Sequence, residues 1–258
     1  MRDLAEALRA RRDDDGTSAF VPYVTGGLAG VDADLLRALE DGGADAIEVG
    51  IPFSDPVMDG PVIQEASRRA LEDGATPSSV LGTVKEAGLG VPVAVMTYAN
   101  PVWHAGHGSF LGMCLDAGVS GVIVPDLPVD EAGEWVAACA SASVSPVFLA
   151  APDTPEARLR TIARASRGFV YCVATYGVTG SRDRLPETAP RLVRRLRQAT
   201  DLPLLVGVGI TEPAHAAQAC AFADGVVVGS ALVQPLLRDD RRRTLALAQA
   251  FAARVHGG

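Results

Sequence analysis

No apolar run in the 258 residues approaches the roughly 18 to 20 needed to cross a bilayer, so no membrane-spanning helix and no membrane partner are expected. The N-terminal stretch MRDLAEALRARRDDDG is charged and helix-like without an apolar core, and is not expected to act as a signal peptide. Cysteine is scarce: Cys114, Cys139, Cys172 and Cys220 form no CxxC pair and have no histidines at ligand spacing, which disfavours both a zinc site and a disulfide framework. Reduced thiols and a cytoplasmic location are the expectation. Positive charge is also in short supply, with 23 Lys and Arg against 31 Asp and Glu and a formal net charge of -8. A polyanion such as nucleic acid needs a cationic surface that this composition does not supply. Arg241, Arg242 and Arg243 follow Asp239 and Asp240 and read as a solvated helix face. An anionic small molecule stays open, because backbone N–H groups at helix starts hold phosphate without lysine. No Gly/Ser-rich or Pro-rich linker divides the chain, and no GxGxxG follows the first strand-like segment. One domain over 1–258 is expected, and a dinucleotide-type open sheet is disfavoured.

Short β-rich segments recur at 19–24, 46–49, 93–96, 121–124, 146–149, 169–173, 203–206 and 225–228. Their spacing is close to one strand-plus-helix unit, and their uniformly apolar character suits parallel strands covered on both faces. Amphipathic helices are read between them, for example at 31–41, 77–87, 130–140, 155–165 and 185–199. Eight such units make an α/β fold, a single (β/α)8 TIM barrel preceded by an extra N-terminal helix.

The most informative stretch is 47–64, IEVGIPFSDPVMDGPVIQ, which sets Glu48 and Asp59 around a bend punctuated by Gly50, Pro52, Pro56, Gly60 and Pro61. An acid where a buried strand breaks out, followed by a rigid loop bearing more acids, suits proton chemistry at the ligand-binding rim of a barrel. Two plainer readings stay open: Glu48 as a solvated strand-end residue, and Asp59 as a helix N-cap before Gly60-Pro61. Further round the rim come Tyr23 and Thr25, then Asn100, Asp126 and Tyr171. The turn Gly207-Val208-Gly209-Ile210-Thr211, ahead of a helical segment read as starting at Thr211, and Gly229-Ser230 each leave backbone amides bare, which together make an anion pocket. The stretch 175–182, TYGVTGSR, suits either a mobile cover or an ordinary surface loop. His104 and His107 have no carboxylate at metal-ligand spacing and read as surface histidines.

The motifs FVPYVT, GADAIEVGIPFSDPVMDGPVIQ, MTYANPV, GVIVPDLP, YGVTGSR, LLVGVGI and GVVVGSALV occur in this order along nearly the whole chain. Together they resemble the tryptophan synthase α subunit family, (β/α)8 barrels that cleave indole-3-glycerol phosphate to indole and glyceraldehyde 3-phosphate. The resemblance implies Glu48 as the proton-transferring carboxylate, Asp59 as the second catalytic acid and Tyr171 as a catalytic-pocket residue. It also implies that Tyr23, Thr179, Gly180, Gly209, Gly229 and Ser230 bind substrate, with the glycines and Ser230 at the phosphate end. No cofactor is implied for this chain; in the family, pyridoxal phosphate belongs to the separate β subunit that receives indole. The partner implied is that β subunit, in an α2β2 complex, with 52–59 and 176–182 as gating loops, Asp55 and Thr179 coupling closure, and Asp55 and Asn100 facing the partner. Gly26-Gly27-Leu28-Ala29-Gly30 departs from the family's Gly-Asp-Pro turn and is about two residues shorter. A free-standing lyase and a catalytically idle regulatory barrel are the alternatives.

Overall fold

The computed structural model describes residues 3–174 and 185–257. Nine strands are present among them: β1 Ala19–Thr25, β2 Ile47–Gly50, β3 Val93–Met96, β4 Val119–Ile123, β5 Ser145–Val147, β6 Leu149–Ala150, β7 Val170–Val173, β8 Leu204–Gly207 and β9 Gly225–Val228. Every pairing is parallel, in the order β5-β4-β3-β2-β1-β9-β8-β7-β6. The two ends of that order, β5 and β6, are separated in the chain by Phe148 alone. One extended stretch therefore pairs with β4 through its first half and β7 through its second, and the sheet closes on itself. The segment expected at 146–149 is this stretch, so nine strand pieces form the eight staves of a (β/α)8 barrel. Every residue of β1, β2, β4, β8 and β9 is buried, which leaves no polar-out alternation. That is the pattern of strands packed on side chains inside the barrel and on helices outside.

The helices form for local reasons the sequence carries. Asp32 caps the helix Ala33–Asp41 by accepting from Leu35 N, and Thr76 and Ser79 form a reciprocal capping box ahead of Pro77–Ala87. Leu35, Leu36 and Leu39 are buried from the first of these, and Val80, Leu81 and Val84 from the second, each set on one helical face. The expected helix at 130–140 is in fact a 3-10 turn, Val129–Glu131, followed by the helix Gly133–Ala142.

The N-terminal helix Leu4–Asp15 closes the end of the barrel at which the strands begin. Its Leu4 is buried, and a Cβ placed on Gly121 or Gly168 would lie 2.7 or 2.8 Å from Leu4 Cδ2. Glycine at both positions is what lets the leucine enter. Asp45, just ahead of β2, accepts from Phe20 N at 2.7 Å and meets Arg11 of that helix and His256 of the C-terminal helix Arg241–His256. Both ends of the chain are thereby tied to the bottom of the barrel, leaving the opposite rim open. Among the described residues no helix is long and apolar enough to cross a membrane.

Candidate functional site

β2 brings Glu48 to the open rim. In register with Tyr23 of β1 and Ala94 of β3, it is 1% exposed, and Oε2 has no hydrogen-bond partner among the described residues. Burial without a partner disfavours the charged form, and the nearby Asp59 disfavours it further, so the Glu48 carboxyl is pushed up to about 8. Such a group carries its proton at neutral pH while remaining able to release it. The reading of Glu48 as a solvated strand-end acid is thereby corrected.

After Gly50 the chain runs in irregular backbone to Gly60, because prolines and glycines interrupt any regular hydrogen-bond pattern. The next helix, Pro61–Glu72, has Gly60 as N-cap with no side-chain cap bond and proline in its first turn. Asp59 is therefore not the cap, contrary to the simpler reading of its position. Its Oδ2 instead accepts from the Tyr98 hydroxyl at 3.0 Å. Burial pushes the Asp59 carboxyl up to about 6, and the Tyr98 bond opposes that rise. Two neighbouring carboxyls thus sit in environments that separate their protonation, the setting in which one gives a proton while the other stays charged.

A cavity of about 910 Å³ opens at the rim, lined by both acids together with Tyr23, Tyr171, Gly209, Gly229 and Ser230. Met96, Ile123, Phe148 and Val173 supply much of its apolar wall. The two tyrosines lie over glycines at strand ends. A Cβ on Gly50 would be 2.2 Å from Tyr23 Oη, and one on Gly207 would be 2.2 Å from Tyr171 Oη. Burial raises both phenols well above their ordinary value, so they present neutral rings and hydroxyls. Tyr23 Oη is 3.3 Å from Thr25 Oγ1.

The turn after β8 is built by Gly209, at φ 96°, and by Val208, at φ 61°. A β-branched residue there is strained, and Val208 is 42% exposed and lines the cavity. The helix after this turn is Pro213–Cys220 with Glu212 at its N-cap, two residues later than the start at Thr211 expected from the sequence. Thr211 Oγ1 lies 3.2 Å from His215 Nδ1 instead. Gly229 is the N-cap of Ser230–Leu236.

Thr179 and Gly180, and with them the loop 176–182, lie outside the described residues. Asn100 and Asp55 are exposed and are not among the cavity-lining side chains. Asp126 lines the cavity and accepts from Ala99 N at 2.9 Å. His104 is exposed, but His107 is not the surface residue expected. It packs edge-on against Trp103 and Trp135, with ring centroids 5.5 and 5.6 Å away, and its Nε2 is buried. The short first loop is tightly seated: a Cβ on Gly26 would meet Val80 Cγ1 at 2.4 Å, and Gly26 N donates to Gly50 O at 2.8 Å. Tyr98 was missed by sequence reasoning. It stands inside the motif MTYANPV, but its contact with Asp59 spans 39 residues.

The family model described as tryptophan synthase alpha chain matches residues 10–256. The tryptophan synthase alpha chain of Streptomyces avermitilis is 44% identical over 99% of this chain and 95% of that one. That of Thermococcus kodakarensis is 45% identical over 86% of this chain and 90% of its own. Among solved structures, tryptophan synthase from Mycobacterium tuberculosis superposes with a TM-score of 0.90 at 40% identity, covering 99% of this chain and 98% of that one. A chain of the tryptophan synthase α2β2 complex of Pyrococcus furiosus superposes with a TM-score of 0.85 at 38% identity, covering 94% and 99%.

Proposed function

The chain belongs to the tryptophan synthase alpha chain family, and from that membership we propose how its rim cavity carries out the family's lyase reaction, cleavage of indole-3-glycerol phosphate to indole and glyceraldehyde 3-phosphate. The observation that carries the reading is the meeting of Glu48 and Asp59 in one apolar-walled cavity that Gly209, Gly229 and Ser230 also line. Retro-aldol cleavage must put a proton on indole C3, remove the proton of the C3′ hydroxyl and break the bond between C3 and C3′. Protonated Glu48 supplies the first proton. The C–C bond electrons then return to the ring, the hydroxyl carbon becomes the aldehyde, and the Glu48 carboxylate takes the hydroxyl proton. One carboxyl ends as it began, so the step balances without an added co-reactant.

While C3 is protonated the ring is cationic and its N1–H is acidic. An ionised Asp59 accepting that N–H stabilises the cation where charge develops. Tyr23 of β1 and Tyr171 of β7 pack against the substrate from two separate staves. The amides around Gly209, Gly229 and Ser230 hold the phosphate, and Thr179 and Gly180 are assigned to substrate binding by the family resemblance of their motif.

The protein works as the α subunit of an α2β2 tryptophan synthase, passing indole to the β subunit, with 1–258 as one barrel domain. A cytoplasmic location agrees with cysteines that are free and, at Cys114, Cys139 and Cys172, buried. A free-standing lyase and an idle barrel are not favoured, since the relatives are tryptophan synthase alpha chains. The test is indole release from indole-3-glycerol phosphate by the purified chain, alone and with a β subunit. Turnover that rises strongly with the partner, is abolished in Glu48→Gln and is crippled to a small residual rate in Asp59→Asn supports the assignment. Near-normal turnover in either variant removes that residue from the chemistry.

A further inference from the structure

Asp59 stands on a loop with little core of its own. The loop's inner backbone bonds are local, Val57 N to Asp55 O at 2.8 Å and Asp59 N to Pro56 O at 3.0 Å. Val57 is 77% and Met58 57% exposed, and both border the cavity. A carboxylate on such a segment needs an external reference if it is to meet a ring N–H to within a fraction of an ångström.

Tyr98 supplies one. Its hydroxyl donates to Asp59 Oδ2 at 3.0 Å and accepts from Met58 N at 3.0 Å, so one oxygen fixes two consecutive residues of the loop. The phenol itself has little freedom. It is buried, its ring stacks on Phe53 with centroids 5.0 Å apart, and it stands at the N-cap of the helix Ala99–Ala105. The first amide of that helix, Ala99 N, is held by Asp126 Oδ1 from the loop after β4. Tyr98 is not among the side chains lining the cavity, so it acts on the reaction through the loop residues it holds.

We propose that Tyr98 is the positioning residue for Asp59, tying the loop after β2 to those after β3 and β4. The same hydroxyl accepts from Met58 N, so Met58 and Asp59 are held in one register. This inference rests on the function proposed above and adds to it the residue that holds Asp59 in place for the ring N–H.

The test is Tyr98→Phe, which keeps the ring and its stacking on Phe53 and removes the oxygen. The full chain is assayed with its β subunit, beside Glu48→Gln, Asp59→Asn and the double variant Tyr98→Phe/Asp59→Asn. In Tyr98→Phe, kcat should fall about tenfold, the loss expected when a hydrogen bond to a charged acceptor is removed, while KM changes little. The acid limb of the kcat profile should also move to higher pH, because the lost bond favours ionised Asp59. The other titratable groups facing Asp59 and Tyr98, namely Glu48, Tyr23, Tyr171 and Asp126, stay in place. The double variant should be no slower than Asp59→Asn. Wild-type kcat and an unmoved acid limb in Tyr98→Phe would overturn the proposal, as would losses that simply add in the double variant. If Asp59→Asn itself retains full activity, the proposed function falls instead.

Discussion

Replacing Glu48 by glutamine should make the protein more stable at pH 8 while destroying its activity. The side chain is buried, Oε2 has no partner among the described residues, and its carboxyl is pushed from 4.5 to about 8. An acid raised in the folded state penalises folding wherever the unfolded chain has ionised and the folded one has not. The penalty is absent below pH 4.5, grows through the interval to about 8, and is then complete. At about 1.4 kcal/mol per pH unit it reaches on the order of 4 kcal/mol at pH 8 and less than about 1 kcal/mol at pH 5. Glutamine has nearly the same shape and no proton to lose, but buries an amide at a cost of about 1–3 kcal/mol at either pH. The variant should therefore equal or trail the wild type at pH 5 and exceed it at pH 8, a relative swing of roughly 3 kcal/mol. Urea unfolding followed by circular dichroism at the two pH values measures this, and the same samples should show at least a hundredfold loss of indole release. A stability difference that is the same at pH 5 and pH 8 would refute the reasoning, because it would mean that Glu48 titrates alike in the folded and unfolded chains.

Gly207→Ala places a methyl 2.2 Å from Tyr171 Oη, so the ring must swing into the cavity; overpacking should cost about 1–3 kcal/mol, and kcat/KM should fall much further than thermal stability implies. Leu4→Ala empties the plug between Gly121 and Gly168 at the far end of the barrel, and should cost about 2–5 kcal/mol in denaturant unfolding while KM stays at its wild-type value.

The architecture was legible because parallel strands buried on both faces read as short apolar runs, and a helix between each pair leaves a regular interval. The expected segments at 93–96 and 225–228 coincide with β3 and β9. The division of the fifth stave at Phe148 was not legible, since apolar content is the same whether a residue pairs to its left or its right. Glu48 could be singled out because a charge at the end of an apolar run is anomalous, yet nothing local distinguished a buried acid from a solvated one; burial depends on residues distant in sequence, such as Tyr23 and Ala94, its register partners on β1 and β3. The reading of Asp59 as a helix cap failed because Gly60 takes that place, and the partner that claims the carboxylate, Tyr98, arrives from the next stave. His107 was misjudged for a similar reason, as one of its two tryptophan neighbours, Trp135, belongs to a later helix.

The central claim is that two carboxyls at one rim are held in different protonation states near neutrality. Carbon-13 NMR of the labelled side-chain carboxyls, with Glu48→Gln and Asp59→Asn assigning the resonances, measures this in the resting protein. The account predicts that Glu48 keeps its proton to about pH 8 and Asp59 gives its up near pH 6. Both carboxyls ionising below about pH 5, as they do in unstructured peptides, would contradict it.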